Sequence, residues 1–243
     1  MQRLIIPGSN IRDVGGYATP SGQTRWRALV RANLLIPWSP QEQQTLLDYG
    51  VKLIIDLRDD FEIAERPNPF AGSTQLTYLN LPLIGRERHL GSAFVTLRDT
   101  LRDNSELNIF MLDECRPNIG AILAAIAAHS TRATLIHCSG GKDRTGIITM
   151  LLLALAGVDE ATICADYAQT KECLAVPFAR YLADTEAAGG DGAQLRRLLD
   201  STPEAMAATL AHVRARYGGV EAYVRACGLD NAQIAALRGL LLQ

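Results

Sequence analysis

Residues 133–156 read ATLIHCSGGKDRTGIITMLLLALA. The first five form a short run rich in apolar and β-branched residues, which is typical of a buried strand. Two adjacent glycines follow, and from residue 145 to residue 156 the chain carries no charge. A strand, a glycine-bearing loop and a helix in this order gather backbone N–H groups at a helix N-terminus, where an anion can bind. The stretch therefore predicts an α/β fold with an anion-binding loop after a strand.

Within this stretch, five residues separate Cys138 from Arg144. This spacing places the sulfur at the bottom of the loop and the guanidinium at its rim, with the intervening N–H groups aimed at one small anion. The positive end of the following helix and the cation both favour a thiolate. We therefore predict that Cys138 and Arg144 are catalytic. The residues expected to bind the substrate are Ser139, Gly140, Gly141, Lys142, Thr145 and Gly146.

The chemistry suited to this loop is phosphoryl transfer. A thiolate can attack phosphorus in line and form a cysteinyl-phosphate, which water then hydrolyses. Arg144 and the loop amides would stabilise the equatorial oxygens, and Thr145 would donate its hydroxyl to the departing sulfur. The simplest alternative is a core cysteine at an ordinary turn, because free cysteine is often buried. The full spacing, with a strand before it and a helix after it, favours the phosphatase interpretation.

The composition is that of an ordinary globular protein. Hydrophobic residues make up 48% and charged residues 21% of the 243 residues, which fits one domain over residues 1–243. The net charge of -2 gives no general electrostatic reason to bind nucleic acid. The apolar run over 145–158 is shorter than the ~18–20 residues that cross a bilayer. We therefore expect no nucleic-acid partner and no transmembrane segment.

The five cysteines are widely spaced and include no Cys-x-x-Cys pair. This pattern argues against a disulfide framework and against a structural zinc site. The first ten residues also lack the apolar core of a signal peptide. We expect no cofactor and no metal, and a reducing cytoplasm is the simplest location, with export by another route left open.

Further elements follow from local patterns. Residues 15–22 are dense in turn formers and predict a hairpin or loop pair. Ser39 and Glu42 form a capping box around Pro40, which predicts a helix that ends at Gly50. Strands are predicted over residues 51–58, 76–83 and 133–137. Helices are predicted over residues 107–128, 145–156, 159–169, 176–187, 203–216 and 231–241.

Several segments together resemble a known family. They are the loop 137–146, Asn10-Ile11-Arg12-Asp13-Val14-Gly15-Gly16, Ile55-Asp56-Leu57-Arg58, Arg216-Tyr217-Gly218-Gly219 and Cys227-Gly228-Leu229. The chain is similar, over nearly its whole length, to the bacterial atypical tyrosine phosphatases and lipid phosphatases of the mycobacterial protein tyrosine phosphatase B type.

The resemblance implies a tyrosine-phosphatase-like α/β fold, with a central, mostly parallel sheet flanked by helices and a helical C-terminal region. Residues 170–200 would form lid helices, and residues 201–243 would pack on the domain. The implied substrates are phosphotyrosine and, in some members, phosphoserine, phosphothreonine or phosphoinositides, with phosphate or a similar oxyanion in the loop. Lys142 and Asp143 match a loop variant similar to lipid phosphatases, and His137 is implied to support the thiolate.

The general acid is harder to assign. A carboxyl group must reach the leaving oxygen, but the chain has no Trp-Pro-Asp tripeptide, and the loop over residues 84–88 has no aspartate. Asp143 in the loop and Asp56 at a strand end are the two candidates. A structural role is open for each, because Asp143 can fix loop N–H groups and Asp56 can pair with Arg58 or Arg12.

Other classes of protein use similar loops. A sulfurtransferase also has a loop cysteine, but it has no need of arginine and threonine opening a helix. A nucleotide-binding loop would require Ser or Thr after Lys142 and a glycine at position 136, and neither is present. A non-catalytic phosphate-binding module remains the more serious alternative.

Overall fold

The computed structural model describes residue 4 and residues 9–35, 38–85 and 88–242, with the backbone alone at 88–90. Its strands are β1 (Arg12–Asp13), β2 (Ala18–Thr19), β3 (Gly22–Gln23), β4 (Leu29–Ala32), β5 (Val51–Asp56), β6 (Thr77–Asn80) and β7 (Ala133–His137). β2 and β3 form a separate hairpin. The central sheet has the order β1-β4-β7-β5-β6, in which β4, β7, β5 and β6 are parallel and β1 is antiparallel. The predicted mostly parallel α/β sheet is confirmed.

The strand that leads into the loop lies in the middle of this sheet. β7 pairs with β4 on one side and with β5 on the other. In this register His137 lies opposite both Ala32 and Asp56. Because the carboxyl ends of parallel strands meet at one edge, the loop after β7 is flanked by the segments that follow β4 and β5.

Helices surround the sheet and form the C-terminal part of the chain. The described helices are α1 (Pro40–Tyr49), α2 (Asp60–Glu65), α3 (Arg88–Thr100), α4 (Asn104–Glu114), α5 (Arg116–Ala128), α6 (Asp143–Leu155), α7 (Glu160–Cys173), α8 (Ala175–Ala187), α9 (Gly192–Leu199), α10 (Pro203–Tyr217), α11 (Val220–Ala226) and α12 (Asn231–Leu241). Among the described residues, no helix combines the length and the apolar character needed to span a membrane.

The first helix, α1, begins and ends where the capping residues in the sequence predict. Ser39 Oγ accepts the N–H of Glu42 at 3.2 Å, and the Glu42 carboxylate accepts the N–H of Ser39 at 2.8 Å. The helix ends at Gly50, whose φ of 104° is in the left-handed region. This confirms the predicted capping box and the predicted end of the helix.

The prediction of one helix over 107–128 is wrong. The segment forms α4 and α5, which meet at Cys115. Pro117, in the first turn of α5, lacks an N–H group, and its ring would clash with the carbonyl four residues earlier in a continuous helix. The proline therefore ends one helix and begins the next.

The helix after the loop is the buried centre of the domain. After its first two residues, α6 is buried along nearly its whole length, which explains why its sequence carries no charge from Thr145 onward. One hydrophobic cluster joins α6 to the sheet and continues to Ile234, Leu237 and Leu240 of α12. The C-terminal helices thus fix the position of α6, whose first turn carries the loop arginine.

Candidate active site

The loop after β7 wraps around the sulfur of Cys138. Gly141 donates its N–H to Cys138 Sγ at 3.2 Å. Gly141 has a φ of 63°, and a Cβ there would lie 2.4 Å from the carbonyl oxygen of Ala32. Only glycine allows the loop to pass this close to β4 with its N–H aimed at the sulfur.

Two side chains hold the outer side of the loop. Asn10 Nδ2 donates to the carbonyl oxygens of Gly140 and Gly141 at 3.1 and 3.0 Å, and Arg31 Nη2 donates to Gly141 at 2.8 Å. In a trans peptide the carbonyl and the next N–H point in opposite directions. Holding these carbonyls outward therefore turns the N–H groups of Gly141 and Lys142 toward the inside of the loop.

A buried ion cluster positions Arg31. Asp166 accepts hydrogen bonds from Arg12 Nε at 2.9 Å and from Arg31 Nη1 at 2.5 Å, and all three side chains are buried. Burial alone would raise the pKa of Asp166, but the two arginines hold it well below its usual range. Arg12 thus supports the loop through Asp166 rather than through Asp56, the partner that the sequence suggested.

Asp56 lies in a second buried cluster. Its carboxylate accepts from Arg58 Nη2 at 2.7 Å and from Tyr78 Oη at 2.9 Å, and it lies 3.3 Å from His137 Nε2. Burial would raise the pKa of Asp56, but hydrogen bonds with His137 and Arg58 hold it far below its usual range. The fully buried carboxylate thus contacts Arg58, Tyr78 and His137. This arrangement favours the pairing role for Asp56 over acid catalysis.

His137 joins that cluster to the loop. Its Nε2 lies 2.8 Å from Asn68 Nδ2, and its Nδ1 lies 3.2 Å from the carbonyl oxygen of Cys138. The imidazole is fully buried. It therefore contacts the backbone of Cys138. Its supporting role in the reaction stays a prediction.

The guanidinium of Arg144 is held by a carboxylate on α2. Its Nη1 and Nη2 donate to Glu62 Oε2 and Oε1 at 2.5 and 2.9 Å. Ser139 Oγ also donates to Glu62 Oε1. Burial would raise the pKa of Glu62, but the hydrogen bonds from Arg144 and Ser139 lower it to about 2. Glu62 thus remains ionised and ties both ends of the loop to α2.

The sulfur opens onto a cavity of about 180 Å³. The loop contributes Cys138, Gly140, Lys142, Asp143 and Arg144 to its wall. The remaining wall is largely apolar and comes from the surrounding helices: Phe94, Leu107, Phe178, Leu198 and Leu199, together with Arg98. Cys138 and Arg144 therefore face the same space, which Phe94 and Phe178 also line.

The helices opposite the loop contact it through Lys142. The ammonium donates to the carbonyl oxygens of Leu198 and Asp200 at the end of α9 and lies 3.4 Å from Asp143 Oδ1. Burial lowers the pKa of Lys142. Asp143 Oδ1 also accepts the hydroxyl of Tyr167 at 3.1 Å. In this structure the cation expected to bind a second phosphate is thus bonded to α9.

Thr145 Oγ1 is buried and has no hydrogen-bond partner among the described residues. Its donation to the departing sulfur stays a prediction. Gly146 has a packing role, because a Cβ there would lie 3.0 Å from the ring of Tyr167. This glycine lets α7 approach the start of α6.

Comparison with known proteins identifies the family. Residues 6–243 match the family model described as the tyrosine phosphatase family. The chain belongs to the tyrosine phosphatase family. It is 32% identical over 225 residues to a tyrosine-protein phosphatase of Nostoc commune, covering 87% of this chain and 73% of that protein. It is 28% identical to the triple specificity protein phosphatase PtpB of Mycobacterium tuberculosis over 98% of both chains. The resemblance inferred from the motifs is confirmed.

Among solved structures, the phosphatase is similar to P. aeruginosa TpbA, with 18% identity and a TM-score of 0.39 over 97% of this chain and 92% of that one.

Two carboxylates of this phosphatase site escaped the sequence reasoning. Glu62 lies on the six-residue helix α2, and Asp59 is the residue at its N-cap. Asp59 Oδ1 accepts the N–H of Gly85 at 3.2 Å, and Oδ2 lies 3.8 Å from Arg144 Nη1. The sequence did contain a signal, because an aspartate followed after two residues by glutamate, directly after a strand, is a capping box.

Proposed function

We propose that this phosphatase hydrolyses phosphotyrosine through a covalent intermediate on Cys138. The observation that carries the proposal is that Cys138 Sγ and Arg144 face one cavity, with the loop N–H of Gly141 aimed at the sulfur. In the first step the thiolate forms a bond to phosphorus while the bond to the tyrosine oxygen breaks, and that oxygen takes up a proton. In the second step water attacks phosphorus, the S–P bond breaks and phosphate leaves.

The loop and Arg144 supply the charge that this transfer needs. Arg144 binds two equatorial oxygens through N–H groups that do not face Glu62, and the inward amides bind the third. Thr145, whose hydroxyl is buried without a partner among the described residues, donates to the sulfur as it leaves. No step requires a metal ion.

Aromatic substrates suit the cavity. Phe94 and Phe178 line the space above the loop and can pack against a phenyl ring. A larger cavity of about 490 Å³ between α8 and α9 shares Phe178 and Leu199 with it and offers room for the rest of a peptide. The M. tuberculosis relative is named a triple specificity protein phosphatase, which supports a substrate range wider than phosphotyrosine. We propose phosphoserine, phosphothreonine and phosphoinositides as further substrates.

Access to the cavity is part of the proposal. α8 and α9 act as a lid over the loop, with the bonds from Lys142 to the end of α9 holding it closed. Opening the lid would free the ammonium for a second phosphate group of a lipid head group. A cytoplasmic location is consistent with five cysteines that are all free thiols.

The deciding experiment is a panel of phosphotyrosine, phosphoserine and phosphothreonine peptides with phosphoinositides, assayed with the wild type and Cys138→Ser. We expect phosphotyrosine turnover by the wild type, and phosphate binding without turnover by the variant. Tight binding without hydrolysis by the wild type would instead support a phosphate-binding module. Thiosulfate turnover without phosphatase activity would support a sulfurtransferase.

A further inference from the structure

The buried ion cluster behind the loop carries more positive than negative charge. Arg12 and Arg31 share the single carboxylate of Asp166, and Tyr17 donates its neutral phenol to the same carboxylate at 2.8 Å. The three charged side chains are at most 2% exposed. Arg31 Nε is buried without a hydrogen-bond partner among the described residues. Within that part of the chain, the cluster therefore holds one guanidinium charge in excess.

Arg31 directs this charge at the loop. Its Nη2 donates to the carbonyl oxygen of Gly141 at 2.8 Å, and the N–H of the same glycine donates to Cys138 Sγ at 3.2 Å. Since one residue separates the guanidinium from the sulfur, the two lie within about 10 Å of each other. The bond from Arg31 also polarises the peptide between Gly141 and Lys142, which makes its inward N–H a stronger donor.

We propose that Arg31 is a positioning residue whose buried charge, acting through Gly141, favours an anion inside the loop. The inference rests on the proposed cysteinyl-phosphate mechanism. Because the cluster excludes water, its charge is weakly screened and reaches both the thiolate of Cys138 and the phosphate that binds above it. Arg31 lies on β4 behind the loop, so it acts without touching the substrate.

The surroundings of Arg31 agree with a charge in excess. Burial lowers the pKa of Arg31, and so does Arg12, while Asp166 opposes both. A guanidinium nevertheless stays charged in a protein, so it needs partners that are negative or that carry a partial negative charge. The Gly141 carbonyl is one such partner, and an anion in the loop is the next. By linkage, the anion and the buried cation stabilise each other.

The test changes the charge of the cluster in both directions. Arg31→Gln removes one positive charge and keeps an N–H donor for Gly141. Arg12→Gln removes the same charge from a residue whose printed contacts are Asp166 and Asn10 rather than a loop carbonyl. Asp166→Asn removes the negative charge. The matched control is Arg214→Gln, an exposed arginine paired with Glu160 on the helix that carries Asp166.

Two measurements report on the loop without requiring turnover. The first is the pH at which alkylation of Cys138 by iodoacetamide, followed by mass spectrometry of its peptide, reaches half its maximal rate. The second is the dissociation constant of tungstate, a tetrahedral dianion, from calorimetry. Circular dichroism checks that each variant is folded.

A unit charge at about 10 Å changes an ionisation by about one pH unit at the effective dielectric constant of protein sites. We therefore expect Arg31→Gln and Arg12→Gln to raise the alkylation midpoint by about one pH unit and to weaken tungstate binding about 10-fold or more. Asp166→Asn should lower the midpoint, although it breaks the same ion pairs. Arg214→Gln should match the wild type.

The direction of the shifts separates charge from structure. If the cluster only holds the backbone in place, Asp166→Asn and Arg31→Gln will move the midpoint in the same direction, and the proposal is overturned. If Asp166→Asn does not fold, the two arginine variants decide: a rise in both supports the proposal, and a rise confined to Arg31→Gln, or no rise, rejects it.

The wild type separates this inference from the mechanism beneath it. If the wild type hydrolyses phosphotyrosine peptide and binds tungstate while the arginine variants match it, the role of Arg31 alone is wrong. If Cys138→Ser turns over phosphotyrosine peptide at the wild-type rate, the cysteinyl-phosphate mechanism is wrong and this inference fails with it.

Discussion

Arg144 and Glu62 form a bidentate ion pair, with Nη1–Oε2 and Nη2–Oε1 distances of 2.5 and 2.9 Å. The two residues are 82 positions apart in the chain, and the pair connects α2 to the first turn of α6. Because both terminal nitrogens are fixed, the guanidinium plane is set before any substrate arrives. The arginine is thus pre-organised for a tetrahedral dianion.

Glu62→Gln should misplace this guanidinium. A small displacement of a positioning group can lower the rate by about 100-fold, so we expect kcat/KM for phosphotyrosine peptides to fall by about that factor. Glu65→Gln, an exposed change on the same helix, is the control and should retain wild-type kinetics. Steady-state kinetics with circular dichroism checks this, and an unchanged kcat/KM in Glu62→Gln would show that the ion pair has no part in positioning.

Gly141→Ala should disrupt the loop. The added Cβ would meet the Ala32 carbonyl in a left-handed backbone conformation, which by itself costs about 1–2 kcal/mol. We expect the free energy of unfolding to fall by at least that amount and hydrolysis to be lost. Gly140→Ala has space for its Cβ and should keep the wild-type stability in urea denaturation. Equal stabilities of the two variants would contradict the account of the loop.

The sequence predicted the loop well because its information is local. A strand, two glycines and an uncharged helix are each readable within a few residues, and the Cys138 to Arg144 spacing fixes the loop between them. The order of the strands in the sheet, by contrast, depends on contacts between segments that are far apart in the chain. β5 pairs directly with β7, which brings α2, and hence Asp59 and Glu62, to the loop arginine. No periodicity in the chain specifies that pairing.

The ion pair between Arg12 and Asp166 could not be predicted from the sequence for the same reason. Its partner Asp166 lies 154 positions away on α7, a helix that the sequence predicted without a contact to the loop. The sequence instead suggested Asp56 as a partner of Arg12. The break between α4 and α5 differs, because Pro117 is local information in the sequence and a proline ends a continuous helix.

Acid should destabilise the phosphatase through Asp56. Its pKa in the folded protein is lower than in the unfolded chain, so its contribution is present at neutral pH and is lost as pH falls below about 4. We therefore expect the free energy of unfolding to decline between about pH 5 and pH 2. Asp56→Asn should be less stable at pH 7 by about 3 kcal/mol, since Arg58 loses its buried partner, and should decline less in acid. Parallel pH curves for the two proteins would contradict this.

Chelators should leave the activity unchanged. The loop amides and Arg144 supply the charge that a metal ion provides in other phosphatases. Turnover of phosphotyrosine peptide should be equal before and after dialysis against EDTA. Loss of activity that Mg²⁺, Mn²⁺ or Zn²⁺ restores would contradict the mechanism.

The most direct test of the central claim is to trap the covalent intermediate. The phosphatase is mixed with a phosphotyrosine peptide, quenched in acid within a turnover, digested and analysed by mass spectrometry. The account predicts one phosphoryl group on the peptide that contains Cys138, and none in Cys138→Ser. A phosphoryl group on another residue, or full turnover by Cys138→Ser, would contradict it.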